Sequence, residues 1–431
     1  MRLQINIYII LWLLLCMISC VKEEDFYSTE TENIEQVSIE LFTRLRSFDT
    51  PVSRAIALED DVDKDPWILV FTGGDGTAGN AVFAEAAQAN INVGNKSYVL
   101  LRPQSGKSWV LILANPQDKF YVGSMSYDFS VDNFNDLFTN KTLTNVTALL
   151  SAMPMTAGVV VNAPPFVNKM LPMSYLYEAT EGINVNTKIG TSTVPLELTR
   201  SVAKIVVKST VADFTLSGIH SVYNMNKNTV LHNLSGNLET AASMVDYIRN
   251  DANEDFVSAT ANVTDPIYVY EAKSGTGVYM IIRAFYKGLE SYYKIAIADD
   301  ELKYIDIKRN HEYRFTIISA NFPGFGSYTD ALLAEPNNLA LKCKVEIIDL
   351  SSFEIKANSE YYLAVSNRLC MIYDDINSEH QYLAFTLTTN CTYAHKFSDK
   401  SNYIRVTNGT MTIVAPASQR ISSASDPNTP F

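Results

Sequence analysis

The side chains that most often do chemistry are few in this 431-residue chain, and they are scattered. Its five histidines are His220, His232, His311, His380 and His395. No two of them form the HExxH pair of a zinc hydrolase, and no GxSxG turn is present to expose a catalytic serine. The sequence therefore predicts no enzyme, no catalytic residue and no cofactor.

Three aspartates imitate the start of a calcium-binding loop. Asp61, Asp63 and Asp65 have the alternate spacing of such loops, but Pro66 stands where the turn requires glycine and Thr72 where a bidentate glutamate belongs. We interpret the segment as structural, and the sequence predicts no metal site.

One cysteine, Cys20, stands where a covalent modification is expected. Arg2 supplies a positive flank, an apolar run follows at residues 7–18, and residues 1–19 together read as a secretory signal peptide. A membrane-spanning helix is the less favoured alternative, because the run is shorter than the roughly 20 apolar residues that a bilayer needs. The four residues that end at Cys20 resemble a bacterial lipobox, in which cleavage leaves this cysteine at the amino terminus with thioether and amide lipids, palmitate among them. A chance cysteine is the other interpretation.

A lipid on Cys20 would attach the chain to the membrane surface without a membrane-spanning segment. Two or more acyl chains hold a soluble domain on a bilayer stably. We expect residues 20–36 to form a lipidated leash. The charged run Lys22-Glu23-Glu24-Asp25 resembles the export tag of Bacteroides-group surface lipoproteins, although it could also be a solvated acidic linker. The expected location is the cell surface, on the outer membrane.

Composition agrees with an exported protein of two or three domains. The chain is 47% apolar and carries a net charge of −13. Nucleic acid is excluded as a partner, since its phosphates require clustered Lys and Arg.

Three cysteines remain in the exported chain: Cys343, Cys370 and Cys391. None belongs to a CxxC pair, so a structural zinc site is not expected. They allow at most one internal disulfide, whose pairing the sequence leaves open.

The first strand is predicted directly after the leash. Val37, Ile39 and Leu41 alternate with Ser38 and Glu40, which is the period of a half-buried strand. A segment rich in Arg, Ser and Thr follows at residues 44–54 and is interpreted as an exposed loop, where proteases cut. Further on, residues 98–102 and 109–114 are expected to form the two arms of a hairpin.

A second group of strands starts near residue 194. Ala203, Ile205 and Val207 share one face, while Lys204 and Lys208 are expected to face water. Further strands are predicted at residues 214–216, 222–225, 267–270, 278–286 and 292–298, the last two joined by a turn at Gly288, and at residues 307–317. Many short strands with few helices indicate an all-β protein built of antiparallel β-sandwiches.

Two phrases of the sequence, together with the lipobox, carry a resemblance to a known family. They are Leu198-Thr199-Arg200-Ser201-Val202-Ala203-Lys204-Ile205 and Arg309-Asn310-His311-Glu312-Tyr313. They resemble the fimbrillins, lipoprotein subunits of the type V pili of Bacteroides-type bacteria, over residues 1–319.

The resemblance implies both a fold and a mode of assembly. It implies tandem transthyretin-like Greek-key β-sandwich domains, which we expect at residues 37–190 and 191–320. It also implies that an Arg-specific protease removes the first strand, that of Val37, Ile39 and Leu41. The C-terminal strand of a neighbouring subunit would then fill the groove. Arg54 and Arg46 are the candidate cleavage sites; if neither is cut, the lipid stays on, as in a pilus anchor.

The chain departs from the stalk-subunit pattern after residue 319. Strands predicted at residues 341–348, 361–365, 382–388, 403–406 and 411–414 indicate a small additional C-terminal β domain, residues 341–431. Four aromatic side chains in this region are candidate ligand contacts, although packing on a sheet is the favoured role: Tyr361, Tyr362, Tyr373 and Tyr382.

Three hypotheses follow from the sequence. The first is a structural and adhesive pilus subunit, of the tip or accessory type, whose partners are other subunits, the outer membrane through its lipid, and a host or bacterial surface ligand. The second is a surface glycan-binding lipoprotein that stays anchored and does not polymerise. A cell-surface hydrolase is the least favoured.

Overall fold

A computed structural model describes most of the chain between residues 36 and 349. The described residues are 36–44, 62–91, 96–157, 166, 170–191, 195–238, 243–248, 257–299, 303–335 and 340–349, together with the backbone of five strands between 354 and 414.

The first part of the chain folds into two five-stranded sheets and a small three-stranded one. The first sheet has the order β11-β1-β5-β4, with β12 also beside β1; the second has the order β13-β10-β6-β2-β3; the third joins β8, β7 and β9. The strands are β1 Val37–Arg44, β2 Trp67–Thr72, β3 Val82–Gln88, β4 Asn90–Ile91, β5 Lys96–Leu101, β6 Ser108–Ala114, β7 Lys119–Val122, β8 Met125–Asp128, β9 Leu150–Ser151, β10 Met173–Ala179, β11 Lys188–Ile189, β12 Leu196–Glu197 and β13 Thr199–Arg200.

The two central strands of the second sheet, β2 and β6, are buried on both faces. Every residue of β6 is buried, and so is β2 except for its last residue. Continuous apolar runs of this kind are typical of strands covered on two sides. One cover is made by a short helix, α1 Val131–Phe138, which a second short helix, α2 Leu143–Leu149, follows along the chain. The ring of Phe134 lies 5.3 Å from Trp67, and that of Phe138 lies 6.3 Å from Phe83.

The next part of the chain forms a ten-stranded sheet and one short helix, α3 Tyr328–Leu333. The sheet has the order β21-β20-β15-β17-β18-β14-β22-β23, with β16 beside β15 and β19 beside β14. Its strands are β14 Val202–Ser209, β15 Phe214–Asn226, β16 Met244–Ile248, β17 Val257–Thr260, β18 Val263–Thr264, β19 Ile267–Tyr270, β20 Tyr279–Tyr286, β21 Leu289–Ala296, β22 His311–Ala320 and β23 Leu341–Asp349.

The all-β prediction is confirmed, and most predicted strands lie where the sequence places them. The hairpin of β20 and β21 turns at Lys287 and Gly288, which have φ of 51° and 80°. Two predicted strands at residues 214–225 are one long strand, β15, whose register shifts twice against β20. Pairing is antiparallel except that β1 runs parallel to β11 and β12, and β14 runs parallel to β22.

Two predictions about local packing are wrong. The expected hairpin at residues 98–114 does not form, because β5 pairs with β1 in the first sheet while β6 pairs with β2 and β10 in the second. Lys204 does not face water: only 3% of its surface is exposed. It lies on β14, a strand with neighbours on both edges, and stands in register with Glu312 of β22.

The C-terminal strands divide between two sheets. β23, which we predicted as the first strand of the additional domain, pairs along β22 over its whole length. The remaining strands form an antiparallel sheet in the order β24-β25-β26-β28-β27. They are β24 Glu354–Ala357, β25 Tyr362–Val365, β26 Gln381–Thr389, β27 Ile404–Thr407 and β28 Thr410–Val414.

The described residues contain neither a membrane-spanning helix nor a cluster of metal-binding side chains. No helix there is both long and apolar enough to cross a bilayer. No three His, Cys, Asp or Glu side chains in those ranges lie close enough together to hold a metal ion.

Hydrogen bonds join the first part of the chain to the ten-stranded sheet. The Tyr270 hydroxyl donates to the Met153 carbonyl oxygen at 2.6 Å, and the Gln117 side-chain N–H donates to the Tyr270 hydroxyl at 3.3 Å. His232 Nδ1 lies 3.0 Å from the Ser174 hydroxyl. Because these polar groups are buried or half-buried, separating the two parts would leave them without partners.

The imidazole of His232 makes stability depend on pH. Burial, helped by the nearby charge of Arg309, lowers the pKa of His232 to about 4 from its usual 6.5. The unfolded chain therefore binds a proton between these values and the folded chain does not, so stability is complete above pH 6.5 and is lost as the pH falls. We expect the free energy of unfolding to drop by about 2 kcal/mol between about pH 7.5 and about pH 5.

Urea unfolding at both pH values tests this expectation, with His232→Gln as the control. The variant lacks the titrating group, so its stability should change less over the same interval. An equal change in both proteins would contradict the assignment.

Candidate functional site

The first strand of the described chain, β1, is an interior strand of the first sheet. It pairs antiparallel with β5 on one edge and parallel with β11 and β12 on the other. The paired residues are Val37 with Leu101, Ser38 with Leu100, Ile39 with Val99, Glu40 with Tyr98 and Lys188, Leu41 with Ser97 and Ile189, Phe42 with Lys96, Thr43 with Leu196, and Arg44 with Glu197. Both backbone edges of β1 therefore have partners.

The inward side chains of β1 belong to the hydrophobic core. Val37 is 5% exposed, and Ile39 and Leu41 are fully buried. Thr43 continues the same row and is also buried. Burial of each aliphatic side chain contributes roughly 1.5–3 kcal/mol, so this strand is a large part of the core of its sheet.

The outward side chains of β1 meet charged and aromatic groups on β5. Glu40 forms an ion pair with Lys96 and accepts a hydrogen bond of 3.0 Å from the Tyr98 hydroxyl. The Lys96 ammonium also lies 5.1 Å from the centre of the Phe42 ring. Lys96 and Tyr98 of β5 thus contact an acid on the outer face of β1, while the apolar side chains on the inner face of β1 pack into the core.

A glycine lets the chain pass close to the backbone of β1. Gly190, between β11 and β12, has a φ of +75°, and a Cβ placed there would lie 2.6 Å from the Phe42 carbonyl oxygen. Sequence reasoning missed this residue, and a single glycine between two-residue strands offers little signal. We call the position that β1 occupies, bounded by β5, β11, β12 and Gly190, the β1 slot.

The β1 slot could bind any strand of matching pattern. Without β1, the backbone groups of β5, β11 and β12 that face it would lose their hydrogen bonds, and the apolar floor would meet water. An unpaired strand edge of this kind binds an added strand through main-chain hydrogen bonds, while alternate side chains give specificity.

The two sequence phrases that carry the family resemblance meet at the start of β14 and β22. The Arg200 guanidinium is fully buried, and its Nη1 donates to the side-chain oxygen of Asn310 at 3.1 Å. The backbone N–H of Asn310 donates to the Val202 carbonyl oxygen at 2.7 Å. Arg309 forms a bidentate ion pair with Glu271, with N···O distances of 2.6 and 2.8 Å. The bonds of Asn310 hold Arg200, at the end of the first part of the chain, against the ten-stranded sheet, whereas the Arg309–Glu271 pair lies within the second part; both are structural roles.

Several predicted site residues lie outside the described residues: Cys20, Arg46, Arg54, Tyr361, Tyr373, Cys370 and Cys391. Tyr362 lies in β25 and Tyr382 in β26, for which only the backbone is described. Cys343 is free, and burial raises the pKa of its thiol to about 12. Their predicted roles remain predictions.

The fold and the β1 slot define a class, an all-β protein of several sheets whose first described strand is paired on both edges. No family model and no curated protein sequence matches the chain. Solved structures do resemble it. A C-terminally truncated tip fimbrial protein, Mfa3 from Porphyromonas gingivalis, is 16% identical with a TM-score of 0.43, and the match covers 73% of this chain and 100% of that one.

Two other solved structures are similar to the same extent. A cell adhesion protein from Parabacteroides distasonis is 14% identical with a TM-score of 0.44, over 72% of this chain and 96% of that one. A fimbrilin from Porphyromonas gingivalis is 15% identical with a TM-score of 0.42, over 73% and 98% of the two chains. The structures that the chain resembles are fimbrial and cell adhesion proteins of Bacteroidetes.

Replacement of Gly190 should destabilise the packing of β1 against the chain between β11 and β12. In Gly190→Ala the new Cβ would press on the Phe42 carbonyl oxygen, whereas Gly288→Ala has a similar φ of +80° but nothing within 4 Å. Overpacking costs about 1–3 kcal/mol, so we expect Gly190→Ala to be less stable than Gly288→Ala by about that amount. Urea unfolding of both variants measures the difference, and hydrogen exchange should show faster exchange in β1 of Gly190→Ala only. Equal stability of the two variants would show that β1 tolerates the added methyl group.

Proposed function

We propose that this protein is a structural and adhesive subunit of a surface pilus, exported as a lipoprotein and assembled by donor-strand exchange. The observation that carries the proposal is the position of β1. It precedes every other described strand, yet it is paired on both edges and buried on its inner face. Such a strand can be removed without interrupting the chain that forms the rest of the sheet.

Each step of the proposed assembly has a physical reason. A lipid on Cys20 brings the subunit to the outer membrane, and β1 keeps the slot filled during export. Cleavage after Arg54 or Arg46 then separates β1 from the rest of the chain. The strand of a neighbouring subunit replaces it, restoring the hydrogen bonds to β5, β11 and β12 and covering the apolar floor. A copy that is not cut stays on its lipid and would act as an anchor.

The C-terminal sheet supports a tip or accessory position for the subunit. Strands β24–β28 follow all the strands that bound the β1 slot along the chain, and they form a sheet of their own. In the proposed function this sheet contacts a host or bacterial surface. Tyr361, Tyr362, Tyr373 and Tyr382 are its candidate ligand contacts.

Exchange of the strand can be measured directly. We expect a labelled peptide with the sequence of Val37–Arg44 to enter the chain after cleavage in the segment that follows β1, and not to enter the uncut chain. An Ile39→Asp peptide should bind at least about 100-fold more weakly, because it buries an unpaired carboxylate. The Ser38→Asp peptide is the matched control, since Ser38 is exposed on the opposite face of the same strand.

Two results would contradict the proposal. One is equal uptake of the peptide by cut and uncut protein; the other is equal binding of the two aspartate peptides. On cells, the amino-terminal sequence of the protein in sheared fibres should begin at Ala55 or Ser47. If every copy instead begins at a lipidated Cys20, no copy has been cut, and the protein stays anchored without strand exchange.

A further inference from the structure

The outer strand of the ten-stranded sheet, β23, has a second edge that no described strand pairs with. β22 covers one edge along the whole of β23, from Leu341 to Asp349. Natural proteins usually shorten such an edge or protect it with charges and proline, because it is a template for pairing with another chain. β23 is nine residues long and contains no proline, and its charged residues are Lys342, Lys344, Glu346 and Asp349.

Two rows of side chains cross the sheet and end on the polar face of β23, and each row contains two charged residues. One row runs from β14 through β22 to Glu346, and the next ends at Lys344. The rows are Val206, Arg314, Glu346 and Lys208, Thr316, Lys344. Burial lowers the pKa of Lys208; of the nearby charges, Glu346 and Glu312 raise it, while Arg314 and Lys344 lower it. An additional acid beside Lys344 would therefore relieve repulsion in its row.

The other face of β23 continues the apolar floor of the sheet to its edge. Cys343, Val345 and Ile347 stand in register with Ile317, Phe315 and Tyr313 of β22, which are all buried. Ile347 itself is 48% exposed. A neighbouring strand with apolar residues on this face would cover it.

One arrangement matches the five central residues of β23 on both faces, although it places Leu341 opposite Asp349 and Lys342 opposite Ile348 at the ends. When two copies of β23 pair antiparallel around Val345, Lys344 of each copy stands opposite Glu346 of the other, and Cys343 stands opposite Ile347. A register centred on Lys344 would place two lysines opposite each other, and one centred on Glu346 would place two glutamates opposite each other. Like charges directly opposite across two strands are destabilising.

We propose that β23 is a contact surface between two copies of this chain, which join their sheets edge to edge around Val345. The partner is a second copy because the strand is complementary to itself in charge and in apolar pattern. The contact lies in a different sheet from the β1 slot, so it does not depend on strand exchange.

Charge-swap variants of the chain, with β1 present and the signal peptide removed, test this pairing. Lys344→Glu places glutamates opposite one another in both rows, and Glu346→Lys does the same with lysines. We expect each variant alone to dimerise roughly tenfold more weakly than the parent protein in sedimentation velocity, since two favourable cross-strand pairs become repulsive. An equimolar mixture should recover the parent dimerisation as a mixed dimer, because each lysine again faces a glutamate.

The mixture separates a contact between copies from an effect within one chain. Lys344 and Glu346 of the same strand lie 3.3 Å apart, and each variant loses that pair whether or not it is mixed. Lys287→Glu, in the exposed turn between β20 and β21, changes charge equally and should leave dimerisation unchanged. A chain that remains monomeric at its solubility limit, or variants whose mixture recovers no dimer, would overturn the proposal.

Discussion

Two-sided backbone pairing of β1 holds the first sheet together. β11 and β12 are two-residue strands, and among the described strands each of them pairs only with β1. β5 would become an edge along six residues if β1 were absent. The hydrogen bonds of the sheet and the apolar floor below it thus depend on one eight-residue segment, and a buried backbone group without a partner is costly. Occupation of this position by some strand is a condition for the stability of the sheet.

The sequence predicts this strand well but not its surroundings. Alternation at Val37, Ile39 and Leu41 is local information, and each of these side chains is buried. The parallel partners Lys188–Ile189 and Leu196–Glu197 are too short to have a period, so no pattern could indicate them. The hairpin expected at residues 98–114 failed for a related reason: closeness in sequence favours a local pair, whereas the chain passes here from one sheet to the other. Lys204 shows the same limit, because alternation with charged residues indicates an exposed face only when no other strand or layer covers it.

The two sequence phrases have local structural roles near the junction between the two parts of the chain. A buried arginine is tolerated only when its donors have acceptors, and Arg200 finds one in Asn310. Arg309 is satisfied by the two carboxylate oxygens of Glu271. These pairs connect residues far apart in the chain, so their identity could not be derived from either phrase alone. In this chain the described residues of the two phrases therefore have a structural role.

Because β1 has both parallel and antiparallel neighbours, the β1 slot distinguishes between the two directions in which a strand could be inserted. One neighbour runs antiparallel to it and the others run parallel, and these two kinds of pairing have different hydrogen-bond spacings. A strand inserted in reverse would meet the wrong pattern on both sides, so a replacement must run the same way as β1. In a filament built by such replacements every molecule would point the same way. Its two ends would therefore be chemically different.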